Sequence, residues 1–167
     1  MAKKRSVTTE RIALGELKSP VTCKGLDLWQ RSSCGRMFPA RGELSAEALS
    51  EIMRNTLLLK VVDGGREFEC RIVGDAIVVA QGASFKGMKL SEIDEMLPGY
   101  GTMLKGIYRY VYDHQEALAL RGWFERRADN RSFFHETLVL PLGERENDVD
   151  HIMVVAVHAF DHADNLR

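Results

Sequence analysis

The chain has 167 residues, enough for one domain with a sizeable core and too few for two self-sufficient ones. Its 23 Lys and Arg against 24 Asp and Glu leave a formal net charge of -1, so no global field draws it to nucleic acid or an anionic membrane, and a small-molecule or protein partner is favoured. Cys23, Cys34 and Cys70 are an odd number at wide spacings, which fits neither a disulfide framework nor a Cys-x-x-Cys zinc site and points to reduced thiols in the cytoplasm.

Residues 1–22 begin with the basic run Met1-Ala2-Lys3-Lys4-Arg5 but have no apolar h-region, and no stretch of the chain is long and apolar enough to span a bilayer. This segment lacks sustained periodicity and reads as an arm that is flexible or docks on a partner. From Lys24 to Ser33, Leu26, Leu28 and Trp29 share one arc of a helical wheel with Asp27 and Arg31 opposite, which predicts a short amphipathic helix ended by Gly35. Pro39 then favours an extended stretch over Met37 to Arg41, and Ser45 opens a second helix carrying Ala48, Leu49, Ile52 and Met53.

The pattern next turns to strands, over Leu57 to Val62 and Glu67 to Val73, joined at Asp63-Gly64-Gly65 by a step able to take the positive φ of a tight hairpin. Ala76 to Ala80 is a brief helix bounded by glycines, Gly87 to Leu97 another, and Gly101 to His114 a longer one burying Met103, Leu104, Ile107, Tyr108 and Val111. Three strands follow, over Ala117 to Arg126, Phe133 to Leu140 and His151 to Phe160. The order predicts an α+β domain over residues 23–160, with a five-stranded antiparallel sheet, helices on one face, an N-terminal helical extension and a C-terminal tail at 161–167.

Within this frame lie Trp29-Gln30-Arg31, the run Arg36 to Arg41, the run Phe68 to Asp75, Gly82 to Gly87, and Glu136 to Leu142. In order and spacing these segments resemble a stand-alone proteobacterial branch of the PAS superfamily, with its Trp-x-Arg, Pro-x-Arg and Arg-x-x-Gly elements, over Lys24 to His158. Where members of the branch commonly carry Asp-Pro after the Pro-x-Arg element, this chain has Ser45-Ala46, and Ser45 still supplies a cap. The resemblance implies a sheet and helical side enclosing a small cavity. It also implies a bacterial sensory or regulatory role in signal transduction, exerted through protein contact and self-association as a homodimer. It carries over no cofactor residue, and no cofactor is expected.

Candidate residues follow from both readings. Phe68, Cys70 and Ile72 alternate on one strand and so are expected to share a face, and with Tyr108 and Trp123 they are the candidates for the cavity lining. Cys70 reads as a small buried hydrophobe, since neighbouring Arg71 points to the other face. Trp29, Arg31, Arg36 and Arg41 are expected to pin the N-terminal segment to the body or to contact a partner. Arg71 and Asp75 are expected to be structural, Gly74 making a turn and Asp75 a helix cap.

The five histidines form no His-x-x-x-His pair on a predicted helix, and His151 and His158 fall on opposite faces of one strand, so no metal site is expected. Gly82 to Gly87 is followed by Met88-Lys89 rather than the Lys-Ser/Thr of a phosphate loop, and no Gly-x-Ser-x-Gly turn occurs. A non-enzymatic regulator binding a small ligand or a signalling protein is the first expectation. A small α+β enzyme using a His or Asp general base is the alternative.

Overall fold

The structure, a computed structural model, describes residues 8–126 and 129–160, with the side chain of Phe160 left aside. The predicted tail at 161–167 and the first seven residues of the arm lie outside the described residues.

The sheet is antiparallel and six-stranded, in the order β1-β4-β5-β6-β2-β3. The strands are β1 (Thr8–Ile12), β2 (Thr56–Val62), β3 (Glu67–Val73), β4 (Leu118–Glu125), β5 (Ser132–Leu142) and β6 (His151–Phe160). The helices are α1 (Pro20–Ser33), α2 (Ala46–Ser50), α3 (Asp75–Gln81), α4 (Leu90–Met96) and α5 (Tyr100–His114). Five of the strands stand where the hydrophobic pattern places them. The sixth, β1, comes from the segment expected to be an arm: Thr8 to Ile12 pair with Trp123 to Ala119 at the sheet edge. An edge strand needs only backbone partners, so its largely exposed Thr-Thr-Glu-Arg-Ile sequence gives no burial signal.

The β2–β3 turn has Asp63 at φ 55 and Gly64 at φ 63, the left-handed conformation expected of that step. Gly74 does not make a turn through positive φ, and Asp75 does not cap α3. Gly74 is the N-cap at φ -70 with no side-chain cap, Asp75 is the first helical residue, and a Cβ at Gly74 would strike the carbonyls of Met53 and Arg54. Glycine is required there by close approach rather than by conformation.

Cross-strand pairs divide the sheet into two faces. His135 opposes His158, Thr137 opposes Ala156 and Val139 opposes Val154 on one face, while Glu136, Leu138 and Leu140 oppose Val157, Val155 and Met153 on the other. Helices α3 and α5 pack on the first face, as expected. The N-terminal helix departs from the expectation of helices on one face only, because α1 lies across the second. Gly25 sits so close to Val155 that a Cβ would meet its methyl at 3.0 Å, and the buried Trp29 donates its indole N–H to the Pro141 carbonyl at 2.9 Å. The second face is apolar at Leu138, Leu140, Met153 and Val155, all fully or nearly fully buried, and α1 is what covers it. No helix among the described residues is long and apolar enough to cross a membrane.

Candidate functional site

Between the first face of the sheet and helices α3 and α5 lies a cavity of about 350 Å³. The helices contribute Ile77, Gln81, Tyr100, Leu104, Ile107 and Tyr108, with the half-exposed Met103 at the rim. The sheet contributes Leu57, Leu120, Val139, Val154 and Ala156 as an apolar floor. At the end where β5 begins and β6 finishes, the floor becomes polar and aromatic through Thr9, Phe124, His135, Thr137 and His158. No Asp, Glu, Lys or Arg lines it.

Register builds this polar end. His135 and His158 are 23 positions apart in sequence, but the β5–β6 pairing sets them directly opposite, with ring centroids 6.4 Å apart. Phe124, on β4, meets both edge-on, at 5.7 and 5.9 Å. His135 bonds through Nε2 to the Thr9 hydroxyl at 3.2 Å and through Nδ1 to the Thr137 hydroxyl at 2.9 Å. The Nδ1 of His158 is buried and has no hydrogen-bond partner among the described residues. Burial lowers the pKa of His135 to about 4, and burial together with the proximity of His135 lowers that of His158 to about 4, so both imidazoles are neutral at physiological pH. The partly buried Tyr100 and the buried Tyr108 complete the wall: desolvation raises the pKa of Tyr100 and raises that of Tyr108 strongly, and Gln81 donates to the Tyr100 hydroxyl at 3.3 Å.

Of the residues singled out in the sequence as cavity candidates, Tyr108 lines the cavity. Phe68 and Cys70 are on the same face of the sheet but packed behind it, Phe68 meeting Tyr108 edge-on at 5.9 Å. Burial, with Glu69 adding to it, pushes the Cys70 thiol up to about 12, the opposite of an activated thiolate. Ile72 does not share their face. Leu59 pairs with Cys70 while Leu58 pairs with Ile72, a bulge around Arg71 that breaks the alternation and turns Ile72 away. Trp123 opposes Phe134 on the second face of the sheet, away from the cavity, and the two rings meet edge-on at 5.4 Å.

The scaffold candidates separate as well. Trp29 anchors α1 as described, and Arg31 forms an exposed i,i+4 pair with Asp27 at 2.8 Å. Arg36 ties the Pro39 strap down, reaching Glu43 at 3.1 Å and the carbonyls of Gly143 and Glu144 at 3.0 Å each. Arg41, expected as the second anchor, is exposed in a 3-10 turn over Arg41–Glu43, so the anchoring falls to Arg36. Arg71 pairs with Glu69 at 2.6 Å near the surface.

A buried carboxylate that sequence reasoning passed over clamps the two ends of this architecture. Glu136 faces α1 and pairs with Arg121 at 2.8 Å. It accepts hydrogen bonds from the Thr22 hydroxyl at 2.5 Å and from the backbone amides of Ser19 at 2.9 Å and Lys18 at 3.1 Å. Burial by itself raises its pKa, but the bonds from Thr22, Arg121, Ser19 and Lys18 outweigh that and hold it down to about 2. Among the described residues, no three His, Cys, Asp or Glu side chains gather as a metal site would require.

No family model and no curated protein sequence matches the chain. Solved structures do. A light-oxygen-voltage domain studied with a flavin analogue superposes with a TM-score of 0.47 at 14% identity, covering 71% of this chain and 85% of that one. An RNA-binding light-oxygen-voltage receptor superposes with a TM-score of 0.53 at 12% identity, covering 96% of this chain and 40% of that one, so this chain spans less than half of the receptor. Light-oxygen-voltage domains are members of the PAS superfamily, and the fold of this chain is PAS-like.

Proposed function

We propose that the protein is a PAS-like sensory domain whose cavity takes a small ligand and whose output is contact with another protein, a second copy of itself included. The observation that carries this is the cavity: a space of about 350 Å³, at the lower end of small-molecule sites, with an uncharged lining and a few convergent polar groups at one end. That composition suits binding and orientation better than bond breaking. An enzyme with a His or Asp general base is the weaker reading, because no Asp lines the cavity and imidazoles with a pKa of about 4 are feeble bases at neutral pH.

The RNA bound by one structural neighbour is not carried over, since a formal net charge of -1 supplies no field for a polyanion. Native mass spectrometry of the gently purified protein tests both halves of the proposal. A retained small molecule, lost from an Ala156→Phe variant that fills the cavity, supports the ligand site. A chain that retains nothing, and whose melting temperature no compound of a diverse small-molecule library shifts, refutes it. A mass of one chain only at high micromolar concentration counts against the homodimer.

A further inference from the structure

Resting on the ligand-site reading, we infer that the cavity selects an uncharged, largely apolar compound of one or two rings and rejects carboxylates and amines of the same shape. Alternation along the strands keeps charge out of the space. Glu136 lies between the cavity residues His135 and Thr137 on β5, and Arg121 follows Leu120 on β4, so both point to the second face, where they pair at 2.8 Å. Arg11 shares the first face with Leu120 but reaches out to the sheet edge, where its guanidinium bonds the Tyr110 hydroxyl and Glu116. Among the described residues no Asp, Glu, Lys or Arg is left to line the cavity. An ionised ligand would therefore shed its water without gaining a partner charge, a cost that an apolar ligand does not meet.

The polar groups of the lining supply no counter-charge either. Both imidazoles titrate at about 4 and the tyrosine hydroxyls above their ordinary range, so all four are neutral at pH 7. Much of their hydrogen-bonding capacity is already used: His135 is bonded at both nitrogens by Thr9 and Thr137, Gln81 donates to Tyr100, and His158 Nδ1 is sealed in the packing. Size and walls set the shape of the occupant. About 350 Å³ holds a compact ring system and little more. Phe124, Tyr100 and Tyr108 flank the space, and Phe124 already meets the two imidazoles edge-on, so a planar ring finds partners on several sides and loses less freedom on binding than a flexible chain.

The test uses the full chain at pH 7.5 and three probes of nearly one shape, naphthalene, 2-naphthoate and 2-naphthylmethylammonium, each titrated against the methyl NMR signals of the protein. The expected result is that naphthalene binds about tenfold or more tighter than either ion. Its ring-current shifts are expected on the lining methyls of Ile77, Ile107, Val139 and Val154. Either ion shifting those methyls with an affinity equal to that of naphthalene overturns the inference and leaves the ligand site standing. Naphthalene that shifts only methyls outside the lining overturns it too. If none of the three binds, the inference falls, and the ligand-site reading then stands or falls by the melting-temperature screen of the compound library.

Discussion

Replacing Glu136 with glutamine keeps the shape of the side chain and removes its charge. Held at about 2 rather than the ordinary value of 4.5, the carboxylate contributes about 3 kcal/mol at neutral pH, at about 1.4 kcal/mol for each tenfold of proton affinity. Above pH 4.5 the folded and unfolded chains are both ionised here and the stabilisation is complete; as the pH falls towards about 2, the unfolded chain takes up the proton first and the stabilisation is lost. A glutamine carbonyl can still accept from Ser19 and Thr22. Its amide must then face the Lys18 N–H or the Arg121 guanidinium, setting donor against donor. Urea unfolding of both proteins, followed by tryptophan fluorescence from pH 7 to pH 2, should show Glu136→Gln less stable by about 3 kcal/mol at pH 7, the gap closing below about 1 kcal/mol near pH 2. A gap that stays constant over that range would refute the reasoning, since it would show that packing rather than charge had been lost.

Trp29→Ala should cost about 3 to 5 kcal/mol by removing a buried indole, and Trp29→Phe about 1 kcal/mol by removing its bond to Pro141, both read by urea melts; unchanged melts would mean that α1 is not held by this residue. Arg41→Ala should stay within about 0.5 kcal/mol while Arg36→Ala costs more, and the reverse order would restore Arg41 as the anchor. Because His135 and His158 titrate at about 4 when folded against an ordinary 6.5, the unfolded chain binds protons first and the melting temperature should drop as pH falls from 6.5 to 4. His158→Leu should flatten part of that drop, and an unchanged profile would deny the imidazole its burial. Iodoacetamide at pH 8.5 should modify the exposed Cys23 and Cys34 but reach Cys70 only after unfolding, and peptide mass spectrometry showing labelled Cys70 in the native protein would contradict its burial.

The elements that could be read from the sequence are those whose burial is written in their own periodicity. Strands β2, β3 and β6 alternate or run apolar around short turns, and α5 repeats Leu104, Ile107, Tyr108 and Val111 at helical spacing. The features that escaped depend on what lies across from them. Strand β1 exists because β4 offers it an edge, and the flip of Ile72 because one extra residue enters the β3 ladder. The cavity was legible as a consequence of the fold but its polar end was not. His135 and His158 become neighbours only through the β5–β6 register, and each by itself looks like any histidine in a strand. Glu136 carried a signal that alternation alone could have exposed, an acid placed one residue after His135 and two before Leu138, and so on a face that Leu138 and Leu140 mark as apolar.

Strand β5 brings that acid and the cavity histidine together in one stiff length of backbone. His135 and Thr137 look into the cavity, while Glu136 between them grips the first turn of α1 on the far side. Successive residues of a strand cannot move independently, so an occupant that lifts His135 by a fraction of an ångström tilts the Glu136 oxygens by a similar amount. Those oxygens hold four donors, from Lys18, Ser19, Thr22 and Arg121, in bonds whose strength falls quickly with distance and angle. The sheet is therefore a thin partition with a handle on each side: a shift of β5 at the cavity face is also a shift at the root of the N-terminal helix, without any side chain having to pass through the wall.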